Sequence, residues 1–236
     1  MKHNIDKRFV YSQTGFPQFQ AKLETFFTVR SWKSLGQLNL ILKRSLDIIG
    51  SLVALILFTP IYLVTMTAIV VEDGFPLFYN QTRVGKYGRL FKMFKFRSMF
   101  NNADEIKASL SSDEMTGGVI FKMKQDPRIT RTGRIIRKLS IDELPQMWNV
   151  LKGDLSLVGP RPPVPSEVAE YTEWDRKRLE VTPGLTCTWQ VSGRSDLDFN
   201  QQAHLDLDYI KKKSFLEDLK LLLRTIPAVL SGKGAY

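Results

Sequence analysis

Cysteine is almost missing from this chain: of 236 residues only Cys187 is one. No internal disulfide can form, so a secreted, disulfide-stapled module is unsupported and a reducing compartment fits better. There is no internal repeat, no second long hydrophobic run and no low-complexity tail. With hydrophobic residues at 43% and charged ones at 25%, the composition belongs to a packed globular chain, not to a disordered or collagen-like one. Acidic residues are scarce where basic ones crowd. Arg83–Lys138 holds 14 basic residues against five acidic ones, net +9 of the chain's +10. Such a field attracts phosphates, whether of nucleotides, anionic lipids or nucleic acid, and its bland alternative is a solvated basic face.

Ile48–Val71 is a run of 24 residues without a formal charge. At about 1.5 Å per residue it would reach about 36 Å as a straight helix, enough for a hydrocarbon core of about 30 Å. Its distance from Met1 and the lack of a small-residue cleavage site exclude a secretory signal. Thr59-Pro60 falls in its middle, where proline removes a backbone donor and bends the helix. Residues 26–45 carry four basic residues and no acid, and 83–97 carry six basic residues. Positive charge on both flanks favours a hairpin that enters and leaves one leaflet, although charge alone leaves a kinked crossing open. The run and the lack of a recognised nucleic-acid module argue against nucleic acid as partner. Phe16–Leu42 reads either as an interfacial amphipathic helix or as a loose arm.

After this run, residues 74–99 read as two or three short strands broken at Gly85 and Gly88, hence a small antiparallel sheet. Helices are expected at Asn102–Leu110, Glu143–Leu151, Ser166–Leu179 and Phe199–Lys212, with a polar loop at Ser111–Gly118. Ser214 and Glu217 form a capping box that opens a last amphipathic helix, interrupted at Pro227. The fold class is α+β and mostly helical. It comprises a 1–42 arm, a 43–73 apolar membrane segment broken at proline, and a compact 74–236 unit with a small sheet.

Asp142 and Glu143 stand together among Arg134, Arg137, Lys138 and Arg161. Ser140 to Glu143 matches a capping box, in which both acids merely favour a helix start. Pro145 weakens that register and suits one with Asp142 itself at the N-cap, at a helix end fit for phosphate. Adjacent carboxylates also repel unless a cation offsets them, and Mg²⁺ held by one or two carboxylates plus phosphate oxygens is a natural choice. A structural acid pair and a phosphate-handling, metal-assisted site both remain open on spacing alone.

The chain resembles the bacterial sugar transferases, also called monotopic phosphoglycosyl transferases. The resemblance is carried by KRSLD at 43–47, QTRVG at 81–85, KFRSM at 95–99, DPRITRTGR at 126–134, DELPQMWNVLKGDLSLVGPRP at 142–162, PGLTCTWQVSGRS at 183–195 and the final GAY. It implies transfer of a hexose 1-phosphate, glucose or galactose, from a UDP-sugar to undecaprenyl phosphate with release of UMP. That step opens exopolysaccharide, capsule or O-antigen synthesis at the cytoplasmic face of the bacterial inner membrane. It also implies Asp142 as covalent nucleophile and Glu143 as its helper, the pair holding Mg²⁺, with Arg161 on phosphate. Lys95, Arg97, Arg128, Arg137 and Arg194 become candidates to bind the diphosphate or nucleotide. The resemblance further implies that 43–73 is a re-entrant membrane anchor and 74–236 a cytosolic catalytic domain. In the anchor, Lys43 and Arg44 would meet anionic headgroups, Asp47 would pair with a basic residue or touch substrate, and Thr59-Pro60 would mark the break, with the threonine bonded back to the helix. Downstream glycosyltransferases, a flippase and a homodimer are expected partners. With only about 42 residues before the resemblance begins, the compact form is expected.

Overall fold

The computed structural model describes residues 15–103, 106, 126–193 and 197–231. The chain divides into two units between Leu42 and Lys43. Most of the described chain is helical, with two small sheets.

Helix α1 (Gly15–Leu57) and helix α2 (Thr59–Asp73) meet at Phe58. Pro60 cannot donate to the turn before it, and the hydroxyl of Thr59 donates to the Leu55 carbonyl at 2.9 Å, the back-bond expected of a threonine at this place. Among the described residues no single helix is long and apolar enough to cross a membrane. The pair Gly36–Leu57 and Thr59–Asp73 satisfies length and composition together, with a bend of 59°. Ile49, Val53, Ile56, Leu57 and Val64 are exposed along this pair, far more contiguous apolar surface than a water-facing helix carries.

Strands β1 (Phe78–Val84) and β2 (Leu90–Phe96) form an antiparallel hairpin in register Phe78 to Phe96 and Arg83 to Phe91. Alternation in β2 sends Phe91 and Met93 into a core shared with Val150, Leu155, Leu157, Val158, Tyr209 and Leu221, and places Lys95 next on the same face, past the edge of that core. Helix α3 (Arg131–Lys138) is capped by Thr130, whose Oγ1 accepts from Gly133. Glu72 at the end of α2 accepts from the free Arg131 and Thr132 amides at 2.6 and 2.8 Å, so the first turn of α3 is satisfied by α2. Phe96, Ile69 and Ile136 extend the same join, with Tyr62 and Ile141 against them.

Helix α4 (Gln146–Lys152) closes at Gly153, which takes φ +90°. Strand β3 (Ser156–Val158) then pairs in parallel with β4 (Gly184–Thr186). A Cβ on Gly184 would lie 2.0 Å from the Gly159 nitrogen, so this contact requires glycine. Helices α5 (Pro165–Ala169) and α6 (Glu173–Arg176) replace the single expected helix over Ser166–Leu179, because Thr172 and Asp175 build a new capping box between them. Helix α7 (Phe199–Lys212) keeps its expected bounds. Helix α8 (Phe215–Ser231) starts with Glu217 N donating to Ser214 Oγ and continues through Pro227. Most of the expected helix Asn102–Leu110 and all of the loop Ser111–Gly118 lie outside the described residues.

Candidate active site

Asp142 is not an N-cap. It lies in a 3-10 turn, Ile141–Glu143, entered through Ser140 at φ +55°, and α4 begins only after Pro145. A serine held in the left-handed region costs about 1 to 2 kcal/mol, and here it turns the chain sharply between α3 and the acid pair. Lys95 comes across from β2: its ammonium lies 2.7 Å from Glu143 Oε1 and 3.8 Å from Asp142 Oδ2. The turn is fixed from below by Tyr62, whose hydroxyl donates to the Leu144 carbonyl at 2.6 Å. Asn149, fully buried in α4, accepts from Phe94 N and donates to Lys92 O, which locks α4 onto β2.

Burial pushes the Asp142 carboxyl up to about 6, with Glu143 adding to the rise while Lys95 and Arg137 oppose it. For Glu143 desolvation also acts upward, but Lys95, Arg161 and Arg83 outweigh it and hold that carboxyl below its usual range. Adjacent acids pushed in opposite directions give one proton-holding and one ionised group near pH 6.

Beside the pair opens a cleft whose lining includes Lys95, Glu143, Gln146, Arg83, Arg161 and Gln190. Arg161, in the segment after β3, stands 3.4 Å from the buried Glu167 carboxylate. Arg83, only 7% exposed, donates to Pro162 O at 3.0 Å and Gln81 Oε1 at 2.6 Å. Its burial, with Arg161 close by, pulls its guanidinium down to about 10. Arg83 Nε and Gln146 Nε2 are buried without a protein hydrogen-bond partner. Two orphan donors in one cleft suit a ligand rich in acceptor oxygens. Both residues were missed as site residues from sequence. Arg83 lies inside QTRVG and Gln146 inside DELPQMW, but only the folded cleft brings them beside Lys95.

The other expected binders have these partners within the protein. Arg97, at the end of β2, donates to the Asp73 and Gly74 carbonyls and pairs with the Asp73 carboxylate, closing the end of α2 against the hairpin. Arg128 forms a two-pronged pair with Asp126 at 2.8 and 2.7 Å. Arg137 acts on Asp142 through charge. Arg194 lies outside the described residues. Cys187 is buried against Gln190, and burial pushes its thiol well up, away from reactivity.

Lys43 and Arg44, near the start of the bent apolar pair, have partners within the protein. Lys43 bonds Val158 O at 2.8 Å and Asp218 at 2.6 Å, and Arg44 donates to the Val150 and Leu151 carbonyls at 2.8 Å each. The free carbonyls at the end of α4 draw in the guanidinium, a helix C-terminus favouring a cation. Asp47 accepts from Ser156 Oγ and Leu157 N at 2.9 and 2.8 Å. One turn of α1 therefore holds both the end of α4 and the strand that leads to Arg161.

Among the described residues no group of three acidic, His or Cys side chains could enclose a metal. Asp142 and Glu143 offer oxygen donors at the edge of a basic cleft, which fits Mg²⁺ when substrate phosphate oxygens complete its shell.

Residues 38–232 match the bacterial sugar transferase family. The chain belongs to that family. It is 46% identical over 200 residues to the galactosyl transferase CpsE of Streptococcus agalactiae, covering 84% of this chain and 44% of that protein. It is 44% identical to the undecaprenyl-phosphate galactose phosphotransferase of Salmonella typhimurium, covering 83% of this chain and 42% of the relative. With the exopolysaccharide production protein ExoY of Sinorhizobium fredii it shares 36% identity over 89% of this chain and 95% of that protein. The chain thus spans less than half the length of the first two relatives.

Proposed function

We propose that this sugar transferase moves a hexose 1-phosphate from a UDP-sugar to undecaprenyl phosphate, with UDP-galactose as the first donor to test and UDP-glucose the second. The observation that carries the reading is the acid pair under Lys95 at the edge of a cleft that also holds Arg83 and Arg161. A carboxylate nucleophile set among cations is the arrangement phosphoryl transfer needs, since charge neutralisation and positioning do most of its work.

An Asp142 carboxylate oxygen attacks the β-phosphorus of the UDP-sugar. The bond from that phosphorus to the bridging oxygen breaks, and UMP leaves with the oxygen. The resulting acyl phosphosugar is attacked at phosphorus by a lipid phosphate oxygen, which expels the Asp142 carboxylate and leaves a polyprenyl diphosphosugar. Lys95 and Arg161 offset phosphate charge in both steps, and Glu143 keeps Lys95 in place. Asp142 and Glu143 would hold Mg²⁺, which when bound supplies further neutralisation of phosphate charge. The bent pair α1–α2 is a re-entrant anchor that sets the cleft at the cytoplasmic face of the bacterial inner membrane, where one substrate is soluble and the other a lipid.

The test is UMP release by detergent-solubilised protein given undecaprenyl phosphate, Mg²⁺ and each UDP-hexose in turn. Lipid-dependent UMP from one donor, abolished in Asp142→Asn and by EDTA, is the expected outcome. Full activity in Asp142→Asn would remove the covalent step.

A further inference from the structure

A second cavity, of about 190 Å³, lies between the anchor and the hairpin and is lined by Leu55, Tyr62, Phe78, Phe94, Pro145 and Trp148. Every lining side chain is apolar or aromatic. Its volume exceeds that of an apolar cavity of about 150 Å³ that admits benzene, so a five-carbon isoprene unit fits. Aromatic packing shapes the walls: Phe78 stacks on the buried Phe96 at 5.3 Å, and Tyr62 meets Phe96 edge-on at 5.4 Å. Trp148 stays 52% exposed and Phe78 40% exposed, large apolar surfaces that a core would have buried.

The position of this groove selects its occupant. Leu55 and Tyr62 belong to the two halves of the bent apolar pair, so one side is continuous with the surface that carries exposed Ile56 and Val64. Phe94 and Lys95, consecutive in β2, point to opposite faces of the hairpin, so groove and cleft are linked through the turn before α4, where Pro145 lines the groove, Gln146 lines the cleft, and Pro145 follows Glu143 by two residues. The Tyr62 hydroxyl is bonded to Leu144, between them. An occupant of the groove therefore has its apolar bulk against the anchor, and its head rounds this turn toward Glu143 and Lys95. A free nucleotide sugar offers nothing apolar to fill such a space. A polyprenyl phosphate offers both parts in one molecule.

Resting on the transferase reading above, we propose that this groove seats the isoprene units nearest the phosphate of the lipid acceptor, with that phosphate delivered toward Lys95 and Asp142. The groove then measures the acceptor's chain beside its head and lines the phosphate up for attack, which lowers the ordering cost of bringing a flexible lipid to one phosphorus.

The test compares wild type with Trp148→Ala, Phe78→Ala and the filling variant Leu55→Trp in detergent, with undecaprenyl phosphate and the short-chain geranyl phosphate as acceptors. The groove variants should raise KM for undecaprenyl phosphate about tenfold, with KM for the UDP-sugar within twofold of wild type. Val64→Ala, exposed on α2 outside the groove lining, should leave the acceptor KM where it was. A second readout needs no turnover: undecaprenyl phosphate should change the tryptophan fluorescence of the full chain, and Trp148→Phe should remove that change. An unchanged acceptor KM together with an unchanged fluorescence response overturns the groove. A KM rise that tracks loss of binding to lipid vesicles also overturns it, assigning the cavity to bulk membrane lipid. If no UDP-hexose gives lipid-dependent UMP but the Trp148 signal persists, the transferase reading fails while lipid binding in the groove stands.

Discussion

Lys95 bonds Glu143 at 2.7 Å while its ammonium stands 3.8 Å from Asp142. The tighter pair falls on the second acid, so the cation steadies Glu143 and acts on Asp142 through its field. Asp142 consequently keeps a carboxyl raised to about 6 by burial, which the Lys95 charge limits. As the proposed nucleophile, Asp142 must be ionised to attack, so kcat/KM for the UDP-sugar should rise with pH through about 6. In Lys95→Met the restraint is gone, and the acid limb should move up by about one pH unit. A pH profile of UMP release checks both, and a limb that stays in place in Lys95→Met would separate the lysine from Asp142.

The same burial sets a stability cost. A carboxyl raised in the folded state above its unfolded value near 3.8 binds more protons folded than unfolded between the two values. Stability therefore falls as pH rises through that window, and above about 6 the full cost is present. Asp142→Asn carries no charge and should be more stable than wild type at pH 7 by about 1 to 3 kcal/mol, less whatever is lost with the Lys95 contact. The gain should vanish near pH 4. Thermal unfolding in detergent at both pH values measures it, and a variant that is less stable at pH 7 would contradict the burial argument. If the proposed role of Asp142 holds, activity and stability are opposed at this one side chain.

Elements whose signals are local were legible in the sequence. The capping residues at Ser214 and Glu217 open α8, Phe199–Lys212 stands as a helix to the residue, and the Thr59 back-bond and the break at Pro60 follow from side-chain chemistry within one turn. What failed depended on distant partners. The β3–β4 pairing joins segments far apart in sequence through the bare backbones of Gly159 and Gly184, which no periodicity announces. The acid turn was misread because Ser140 adopts a left-handed conformation that shifts the start of α4 past Pro145. Arginines look alike in a sequence: Arg97 is held by the carbonyls that end α2, while Arg83 faces the cleft. Only the folded chain distinguishes them.

Arg83, with Gln146, is a residue the cleft adds to the candidate list. Its Nε is buried without a protein partner and Arg161 stands near enough to depress its guanidinium, so a bound anion between these groups relieves both penalties. Arg83→Lys keeps a charge but loses the fork, and should raise KM for the UDP-sugar about tenfold. The acceptor KM should move less. Inorganic diphosphate should inhibit wild type more strongly than Arg83→Lys. Equal inhibition of the two proteins would place Arg83 in support of the Pro162 carbonyl alone.

Lys43 decides between two accounts of the basic residues that open the bent apolar helix pair. Its ammonium is 2.6 Å from Asp218, whose side chain is only 2% exposed and also accepts from Tyr209 at 2.6 Å. Removing the cation leaves that carboxylate buried with a single polar partner, a loss of about 3 kcal/mol. Lys43→Met should therefore lower the unfolding temperature in detergent, where no anionic headgroup is present. Adding Asp218→Asn should restore much of the loss, because the two substitutions act on one pair. A headgroup role makes the opposite demand: Lys43→Met would unfold at the wild-type temperature and bind anionic vesicles less well. The bonds from Lys43 to Val158 and Asp218, with those of Asp47 to Ser156 and Leu157, tie the Lys43–Asp47 turn of α1 to the strand before Arg161. Loss of Lys43 should thus lower kcat along with stability, and the Asp218→Asn double variant should recover stability more completely than rate, since the bond to Val158 stays broken.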